Sequence, residues 1–264
     1  MDPFEGLPVP RGLDPLYFDR RRSLEGALRW AGAPDGMPRT CIDVGANEGQ
    51  TMRSFLEWWP TARCVSFEPL PAAFEALAGE ASRWGDRAVV HRLGVSDAAG
   101  TLTLHASRSQ STNSSFRPFN RGAETAAAHR GLRGRPSHLE GSGADDYETK
   151  VEVVRLDDHV ARESGVEAGW YADGIDVLKS DTQGWDLKVM AGARTVLGRT
   201  KVVLFEWQFD DVYGRPEPVA EIDRLMTDAG LRLWDVAHVY KDLVSLRTLW
   251  VDLVYARPTG ATDR

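Results

Sequence analysis

The sequence feature that most constrains the fold is a repeated alternation of short apolar runs with helix-like segments. The apolar runs, each of strand length, cover residues 41–45, 64–69, 88–93, 151–156, 175–179, 201–207, 231–236 and 249–255. Helical patterns lie between several of them, at residues 48–59, 72–83, 186–197 and 219–229. Strands that alternate with helices pair in parallel through right-handed crossovers. The sequence therefore predicts an α/β doubly wound, Rossmann-like sheet.

The same pattern predicts one domain, because no Pro-, Gly- or Ser-rich linker interrupts the alternation. Residues 1–38 form an N-terminal extension with a helix over 16–30, residues 39–258 form the domain, and residues 259–264 form a tail. Residues 101–105 alternate like an edge strand. The next segment, 106–149, has few large aliphatic side chains and is predicted to be an insertion in the sheet.

This insertion is positively charged although the chain as a whole is acidic. Between His105 and His138 there are six arginines and one acid, Glu124, a local charge of about +5. Two interpretations stay open: a solvated surface loop, or a lid over the site that meets an anionic substrate.

Composition excludes some classes of function. The 264 residues have a formal charge of −7, whereas a nucleic-acid-binding chain is expected to be basic. No apolar run has the length of a membrane span, and residues 1–10 lack the pattern of a secretory signal. Two cysteines, Cys41 and Cys64, are predicted to be buried free thiols. We expect a cytoplasmic protein that binds neither nucleic acid nor membranes.

A glycine loop follows the first predicted strand and is the first candidate binding site. Its spacing, Gly45-x-x-x-Gly49, differs from the Gly-x-Gly-x-x-Gly of dinucleotide-binding proteins. Asp43 and Glu48 would repel a pyrophosphate, which disfavours a nicotinamide oxidoreductase, and they suit a cation such as S-adenosylmethionine (SAM). The predicted cofactor-binding residues of this loop are Asp43, Gly45, Ala46, Asn47, Gly49 and Thr51.

Two further strand ends extend this candidate site. Glu68, followed by Pro69, ends the second strand, where a carboxylate accepts hydrogen bonds from both ribose hydroxyls of a nucleoside. Ser96 and Asp97 follow the third strand and either meet the adenine amino group or form a plain turn.

The chain resembles the FkbM-type SAM-dependent methyltransferases from about residue 40 to residue 256. The resemblance rests on an ordered set of motifs: Ile42-Asp43-Val44-Gly45-Ala46-Asn47-Glu48-Gly49, Ser66-Phe67-Glu68-Pro69, Gly94-Val95-Ser96-Asp97, Asn113-Ser114-Ser115, Val154-Arg155-Leu156-Asp157, Leu178-Lys179-Ser180-Asp181-Thr182-Gln183-Gly184-Trp185, Leu204-Phe205-Glu206 and Val251-Asp252-Leu253-Val254.

The resemblance implies a class I methyltransferase sheet of seven strands, the last antiparallel. It implies methyl transfer from SAM to a hydroxyl of a sugar, polyketide or other secondary metabolite. It also places Asn113 and Ser114 near the methionine end of SAM or the acceptor. Two residues depart from the family pattern. Ser180 replaces a bulky aliphatic residue, and Trp185 stands where a small residue or tyrosine is common, both beside the presumed reaction centre.

The candidate catalytic residues lie at or near strand ends. Asp181 is the first candidate, as general base, as ligand of the SAM ammonium group or as a magnesium ligand. Magnesium is possible but not favoured, and its ligands would be Asp181 and Glu206. Glu206 otherwise forms an ion pair with Lys179, and Lys179 either pairs with a carboxylate or polarises the acceptor oxygen. His238, after a predicted strand, is a candidate base at the rim.

The sequence favours a SAM-dependent O-methyltransferase that acts on a small-molecule acceptor, as a monomer or homodimer. Methylation of a nucleic-acid base is disfavoured because Asp181 is followed by Thr182-Gln183-Gly184 rather than by Pro-Pro-aromatic. The remaining alternatives are a SAM-binding protein without catalysis and an NAD-dependent oxidoreductase.

Overall fold

The computed structural model of the protein describes residues 19–108, 111–120, 146–163, 165–209, 213–241 and 248–259.

The main sheet of the protein contains seven strands. The strands of this sheet are β1 (Thr40–Val44), β2 (Arg63–Phe67), β3 (Ala88–His91), β7 (Ile175–Ser180), β8 (Thr200–Gln208), β9 (Arg232–Lys241) and β10 (Thr248–Ala256). Their order is β3-β2-β1-β7-β8-β10-β9.

The strand directions confirm the predicted class I arrangement. β1, β2, β3, β7 and β8 run parallel to one another, and β10 is antiparallel to both β8 and β9. The chain order reverses between β1 and β7, so a crevice opens there at the carboxyl ends of the strands.

Helices cover both faces of this sheet. They are α1 (Arg20–Trp30), α2 (Gln50–Trp58), α3 (Pro71–Ala81), α4 (Leu156–Arg162), α5 (Val166–Ala172), α6 (Asp186–Ala191), α7 (Arg194–Leu197) and α8 (Val219–Asp228). Alternate strand residues point to opposite faces, so Cys41 belongs to the core under α1 and α2 and Ile42 to the core under α4–α8. Cys41 and Cys64 are neighbours in register, and both are buried free thiols, as predicted.

A second sheet of three strands lies beside the first. It consists of β4 (Gly94–Val95), β5 (Gly100–Ser107) and β6 (Asp146–Val154), in the order β4-β6-β5. The predicted strands at 101–105 and 151–156 are therefore β5 and β6 of this sheet. The predicted insertion boundaries of 106 and 149 are too wide, because Ser107 and Asp146 still pair as strand residues. Residues 109–110 and 121–145, where the predicted lid lies, are outside the described residues.

The structure corrects two predicted elements. The helix predicted over 186–197 is broken after Ala191, because the carboxylate of Asp157 accepts hydrogen bonds from the backbone N–H groups of Thr195 and Val196 and starts α7 there. The strand predicted to end at Val236 continues to Lys241 because it pairs with β10 along that length. His238 consequently lies within β9, opposite Asp252, and not in a loop after it.

Among the described residues, no helix is both long and apolar enough to span a membrane.

Candidate active site

The candidate site is a cleft at the carboxyl ends of β1, β2 and β7. The glycine loop after β1 is tied to both neighbouring strands. The N–H groups of Gly45 and Ala46 donate to the carbonyl of Phe67, each at 3.0 Å, and the N–H of Asp181 donates to the carbonyl of Val44 at 3.0 Å. These hydrogen bonds fix the loop at the crevice that the strand order opens.

The cleft has a volume of about 490 Å³ and draws residues from both sheets. Its lining residues are Val44, Gly45, Asn47, Phe67, Glu68, Pro69, Leu93, Gly94, Val95, Leu104, Ser111, Thr112, Ser114, Ser115, Phe116, Asp181, Thr182 and Gln183. A cleft with mixed apolar and polar walls suits a small molecule or cofactor.

Backbone strain is concentrated at this cleft. In the described part of the chain only two non-glycine residues have positive φ, Asn47 at 47° and Gln183 at 54°, and both line the cleft. Gly45 has φ of 74°, and a Cβ at this position would lie 2.1 Å from the carbonyl oxygen of Asp181. Strained residues of this kind persist where the surrounding structure holds them for a function.

Glu68 is nearly buried at the wall of the cleft. Its Oε2 accepts a hydrogen bond from the backbone N–H of Asn47 and its Oε1 from that of Leu70, both at 2.8 Å. Burial raises the pKa of Glu68 to about 7, although these two N–H groups oppose the rise. Glu68 therefore joins β2 to the glycine loop and presents a carboxyl group to the cleft.

Several buried polar groups at the cleft have no hydrogen-bond partner among the described residues. They are the side-chain amide of Asn47, both O and N, and the hydroxyls of Ser114 and Thr182. Buried polar groups are nearly always hydrogen-bonded in native proteins. These groups are therefore positioned to bind a polar ligand in the cleft.

Lys179 lies behind the glycine loop, not in the cleft. Its ammonium group is 3.0 Å from Asp43 and 3.7 Å from Asp181, and it donates to the carbonyl of Gly45 at 3.2 Å. Burial alone would lower the pKa of Lys179, but the two carboxylates reverse this and raise it above the ordinary value. Lys179 and Asp43 form a buried ion pair that supports the loop.

Asp181 and Glu206 are joined by the side-chain amide of Gln183. Its Nε2 donates to Asp181 at 2.7 Å and to Glu206 at 3.2 Å. Its Oε1 accepts hydrogen bonds from Tyr213 at 2.9 Å and from Gln208 at 3.2 Å. Burial, followed by the charge of Asp181, raises the pKa of Glu206 well above its usual range. Glu206 therefore favours its neutral form.

This bridge bears on the magnesium hypothesis. A magnesium ion shared by Asp181 and Glu206 would take the position between the carboxylates, where the Gln183 amide now donates to both. The ion would fit only if Gln183 turned away, and magnesium at this position stays the unfavoured alternative that the sequence left open. Glu206 also has amide partners rather than the ion pair with Lys179 that was one of its predicted roles.

A smaller pocket of about 260 Å³ lies on the other side of Gln183. It is lined by Arg117, Gly184, Glu206, Trp207, Gln208, Tyr213, Gly214, Pro216 and Glu217. Arg117 closes one side by donating to the carbonyl of Arg215 at 2.6 Å. The Asp181–Gln183–Glu206 cluster thus separates the large cleft from a pocket with polar and aromatic walls.

Comparison with known proteins decides the family. The model of the methyltransferase FkbM domain matches residues 43–233, which is most of the chain and includes the glycine loop, Glu68, Asp181 and Glu206. The chain belongs to the FkbM methyltransferase family. The resemblance predicted from the ordered motifs is thereby confirmed, and the chain is a methyltransferase.

Two relatives of this FkbM protein are themselves named as methyltransferases. The 2-O-methyltransferase NoeI of Sinorhizobium fredii (strain NBRC 101917 / NGR234) is 27% identical over 188 residues, which cover 69% of this chain and 68% of NoeI. Methyltransferase sdnD of Sordaria araneosa is 31% identical over 163 residues, 57% of this chain and 59% of sdnD.

The solved structures similar to this FkbM protein include other methyltransferases. One is the 1,6-didemethyltoxoflavin-N1-methyltransferase of Burkholderia thailandensis, at 12% identity and a TM-score of 0.42, with coverage of 91% of this chain and 80% of that one. Another is a putative RNA methyltransferase of Pyrococcus horikoshii, at 11% identity and a TM-score of 0.44, with 92% of both chains covered.

The structure brings six of the predicted cofactor-binding residues together at the cleft. These are Gly45, Asn47, Glu68, Pro69, Ser114 and Asp181. Seven others are not among its lining residues: Asp43, Ala46, Gly49, Thr51, Ser96, Asp97 and Asn113.

Local contacts explain why most of these predicted residues do not line the cleft. Asp43 is fully buried against Lys179, and Ala46 is buried in the core under α2. Gly49 caps the start of α2, and Thr51 lies in its first turn. The carbonyl of Asn113 accepts a hydrogen bond from Tyr213 at 3.0 Å.

The two side chains predicted on the adenine side, Ser96 and Asp97, have partners within the protein. Ser96 is buried and accepts a hydrogen bond from the indole N–H of Trp185 at 3.2 Å. Asp97 forms an ion pair with Lys188 at 2.6 Å. In this segment the cleft is lined by the three residues that precede Ser96, namely Leu93, Gly94 and Val95.

The two departures from the family pattern do not line the cleft. The hydroxyl of Ser180 donates to the buried Asp186 at 2.5 Å, and Trp185 packs on Phe116 with 5.6 Å between ring centroids. Both residues support the loop after β7 on the side away from the cleft.

Thr182 and Gln183 line the cleft but were not predicted as site residues. Their position directly after Asp181, at the end of a strand, was the sequence signal that could have identified them.

Proposed function

We propose that this FkbM methyltransferase binds SAM in the large cleft and transfers its methyl group to a hydroxyl oxygen of a small-molecule acceptor. The observation that carries the cofactor assignment is the set of unpartnered polar groups on Asn47, Ser114 and Thr182 beside the carboxyl of Glu68. SAM offers ribose hydroxyls, an ammonium group and a carboxylate, which can satisfy such groups.

The acceptor is proposed to approach from the smaller pocket. Trp207 offers an apolar ring face, while Gln208 and Arg117 offer polar groups, a combination suited to a hydroxyl-bearing molecule such as a sugar. The relative NoeI is named a 2-O-methyltransferase, which supports oxygen as the acceptor atom.

Asp181 is the proposed general base. SAM supplies an electrophilic methyl group when it is bound. Asp181 lines the large cleft and accepts a hydrogen bond from the Gln183 amide. The same amide donates to Glu206, which lines the smaller pocket. Asp181 would accept the hydroxyl proton of the acceptor as the oxygen–carbon bond forms and the bond between the methyl carbon and the sulfonium sulfur breaks, with S-adenosylhomocysteine as the leaving group. The neutral form of Glu206 limits charge repulsion beside the reacting carboxylate.

The proposal is tested by following the methyl group itself. The protein is incubated with SAM carrying a ¹³C-labelled methyl and a panel of hydroxylated acceptors, and products are examined by NMR. We expect the label in a methyl ether. Asp181→Asn, which keeps the size and a hydrogen-bond acceptor, should lower turnover by about 10²–10⁴-fold and leave S-adenosylhomocysteine (SAH) binding within a few-fold.

Two results would contradict the proposal. A label on nitrogen or carbon would exclude O-methylation, and full turnover in the Asp181→Asn variant would remove Asp181 as the base.

A further inference from the structure

A second cluster of polar side chains lies behind the wall of the cleft. His91 ends β3, His159 lies on α4 and Glu167 lies on α5. Nε2 of His91 is 2.8 Å from Oε1 of Glu167, and Nε2 of His159 is 3.7 Å from the same oxygen. One potential ligand atom from each residue lies within 4.8 Å of the others. Two imidazoles and a carboxylate therefore converge on one point.

Polar groups in this cluster are buried without partners. The side chain of His159 is 9% exposed and that of Glu167 4%. Within the part of the chain that the structure describes, Nε2 of His159 has no hydrogen-bond partner, and neither does the hydroxyl of Tyr171, which lies on the same helix as Glu167. Burying a polar nitrogen without a partner is costly. The arrangement is therefore incomplete as a hydrogen-bond network.

We propose that His91, His159 and Glu167 bind a divalent transition metal ion, with Zn²⁺ as the best match. Zn²⁺ takes imidazole nitrogen and carboxylate oxygen in tetrahedral sites, with ligand bonds of about 2.0–2.2 Å. Neighbouring ligand atoms in such a site are roughly 3.4 Å apart. The observed separations of 2.8 and 3.7 Å lie on either side of this value.

The proposed metal site would contact the cleft through the aromatic ring of Phe67. Phe67 stacks on His91 with 5.2 Å between centroids and meets His159 edge-on at 4.9 Å. Phe67 lines the cleft, and its carbonyl accepts the hydrogen bonds of Gly45 and Ala46. A metal ion here would hold the end of β2 in place. Its role is structural, because the ligands are buried outside the cleft.

The test uses the untagged full-length chain after chelation and dialysis, with Zn²⁺ titrated in a calorimeter. We expect one Zn²⁺ per chain, a rise in the Tm with added Zn²⁺, and an affinity at least about 100-fold lower in His159→Gln. His105→Gln is the matched control, because His105 also pairs with a carboxylate, Glu148 at 3.3 Å, but is not part of the cluster. It should bind Zn²⁺ as the unmutated chain does.

Co²⁺ absorption of the unmutated chain gives a second readout that needs no variant. Intense visible bands of a tetrahedral ion, displaced by one equivalent of Zn²⁺, support the site. Weak octahedral bands, no binding, or unchanged Zn²⁺ affinity in a folded His159→Gln variant would overturn it. Binding of SAH by the metal-free chain separates a failure of this site from a failure of the proposed function.

Discussion

At the scale of single residues, the cofactor cleft depends most on Glu68. It is the predicted ribose carboxylate that the structure places in the cleft wall, and its two backbone hydrogen bonds orient it. Hydrogen bonds to a charged group contribute about 1.5–3 kcal/mol each. Glu68→Gln should therefore weaken SAH binding by at least tenfold in a calorimetric titration.

The pKa of Glu68 adds a pH dependence to this prediction. Burial raises it to about 7, so the charged form that accepts ribose hydroxyl bonds is present above pH 7 and is lost as the pH falls below it. SAH affinity should fall roughly tenfold from pH 7.5 to pH 6, and the Glu68→Gln variant should show a flat profile over that range. An equal slope in both proteins would assign the titration to another group.

Residue roles were predictable where the backbone position alone determines them. Gly45, Asn47, Glu68 and Asp181 lie at strand ends, and strand ends of a parallel sheet converge. The sequence could not show which way Ser96 turns, because its partner Trp185 is 89 positions away along the chain. The sequence also could not show that Asp43 forms an ion pair with Lys179, since that pairing depends on the register of β1 with β7.

At the scale of elements, the glycine loop is the most constrained segment. Gly45→Ala would place a Cβ against the carbonyl of Asp181 in addition to the strain of its positive φ. The matched control is Gly85→Ala, because Gly85 also has positive φ but has no atom within 4 Å of the added Cβ. We expect loss of SAH binding in Gly45→Ala and near-normal binding in Gly85→Ala. Comparable losses in both would show that strain alone, not the close approach, matters.

The ion pair behind the loop gives a separate prediction about stability. Lys179→Met leaves the buried carboxylate of Asp43 without its partner, which costs about 3–5 kcal/mol of unfolding free energy. Adding Asp43→Asn removes the uncompensated charge, so the double variant should regain much of that loss. Urea unfolding of the three proteins measures both values. A double variant less stable than Lys179→Met would contradict the pairing.

The order of elements was accessible from the sequence, but their edges were not. The alternation of strands and helices was sufficient for a parallel doubly wound sheet, because parallel crossovers leave few topologies, whereas the number of strands in it, seven with the last antiparallel, came from the family resemblance. The break after Ala191 depends on Asp157, which reaches α7 from another helix. The extension of β9 to Lys241 depends on pairing with β10. Both are tertiary contacts that no local pattern encodes.

At the scale of the whole molecule, the distribution of charge differs from the sequence-based expectation. The five acids that the sequence analysis singled out at or near strand ends have separate roles: Asp43 pairs with Lys179, Glu48 is exposed, and Glu206 favours its neutral form. Glu68 and Asp181 are the two that line the cleft. Charge attraction therefore contributes less to the SAM assignment than the unpartnered polar groups do.

The account stands on the claim that the cleft between the glycine loop and Asp181 binds SAM. The most direct measurement is a calorimetric titration of the full-length chain with SAH, with NAD⁺ titrated in parallel. The account predicts saturable binding of one SAH per chain and no measurable binding of NAD⁺. Saturable binding of NAD⁺ with none of SAH would contradict it.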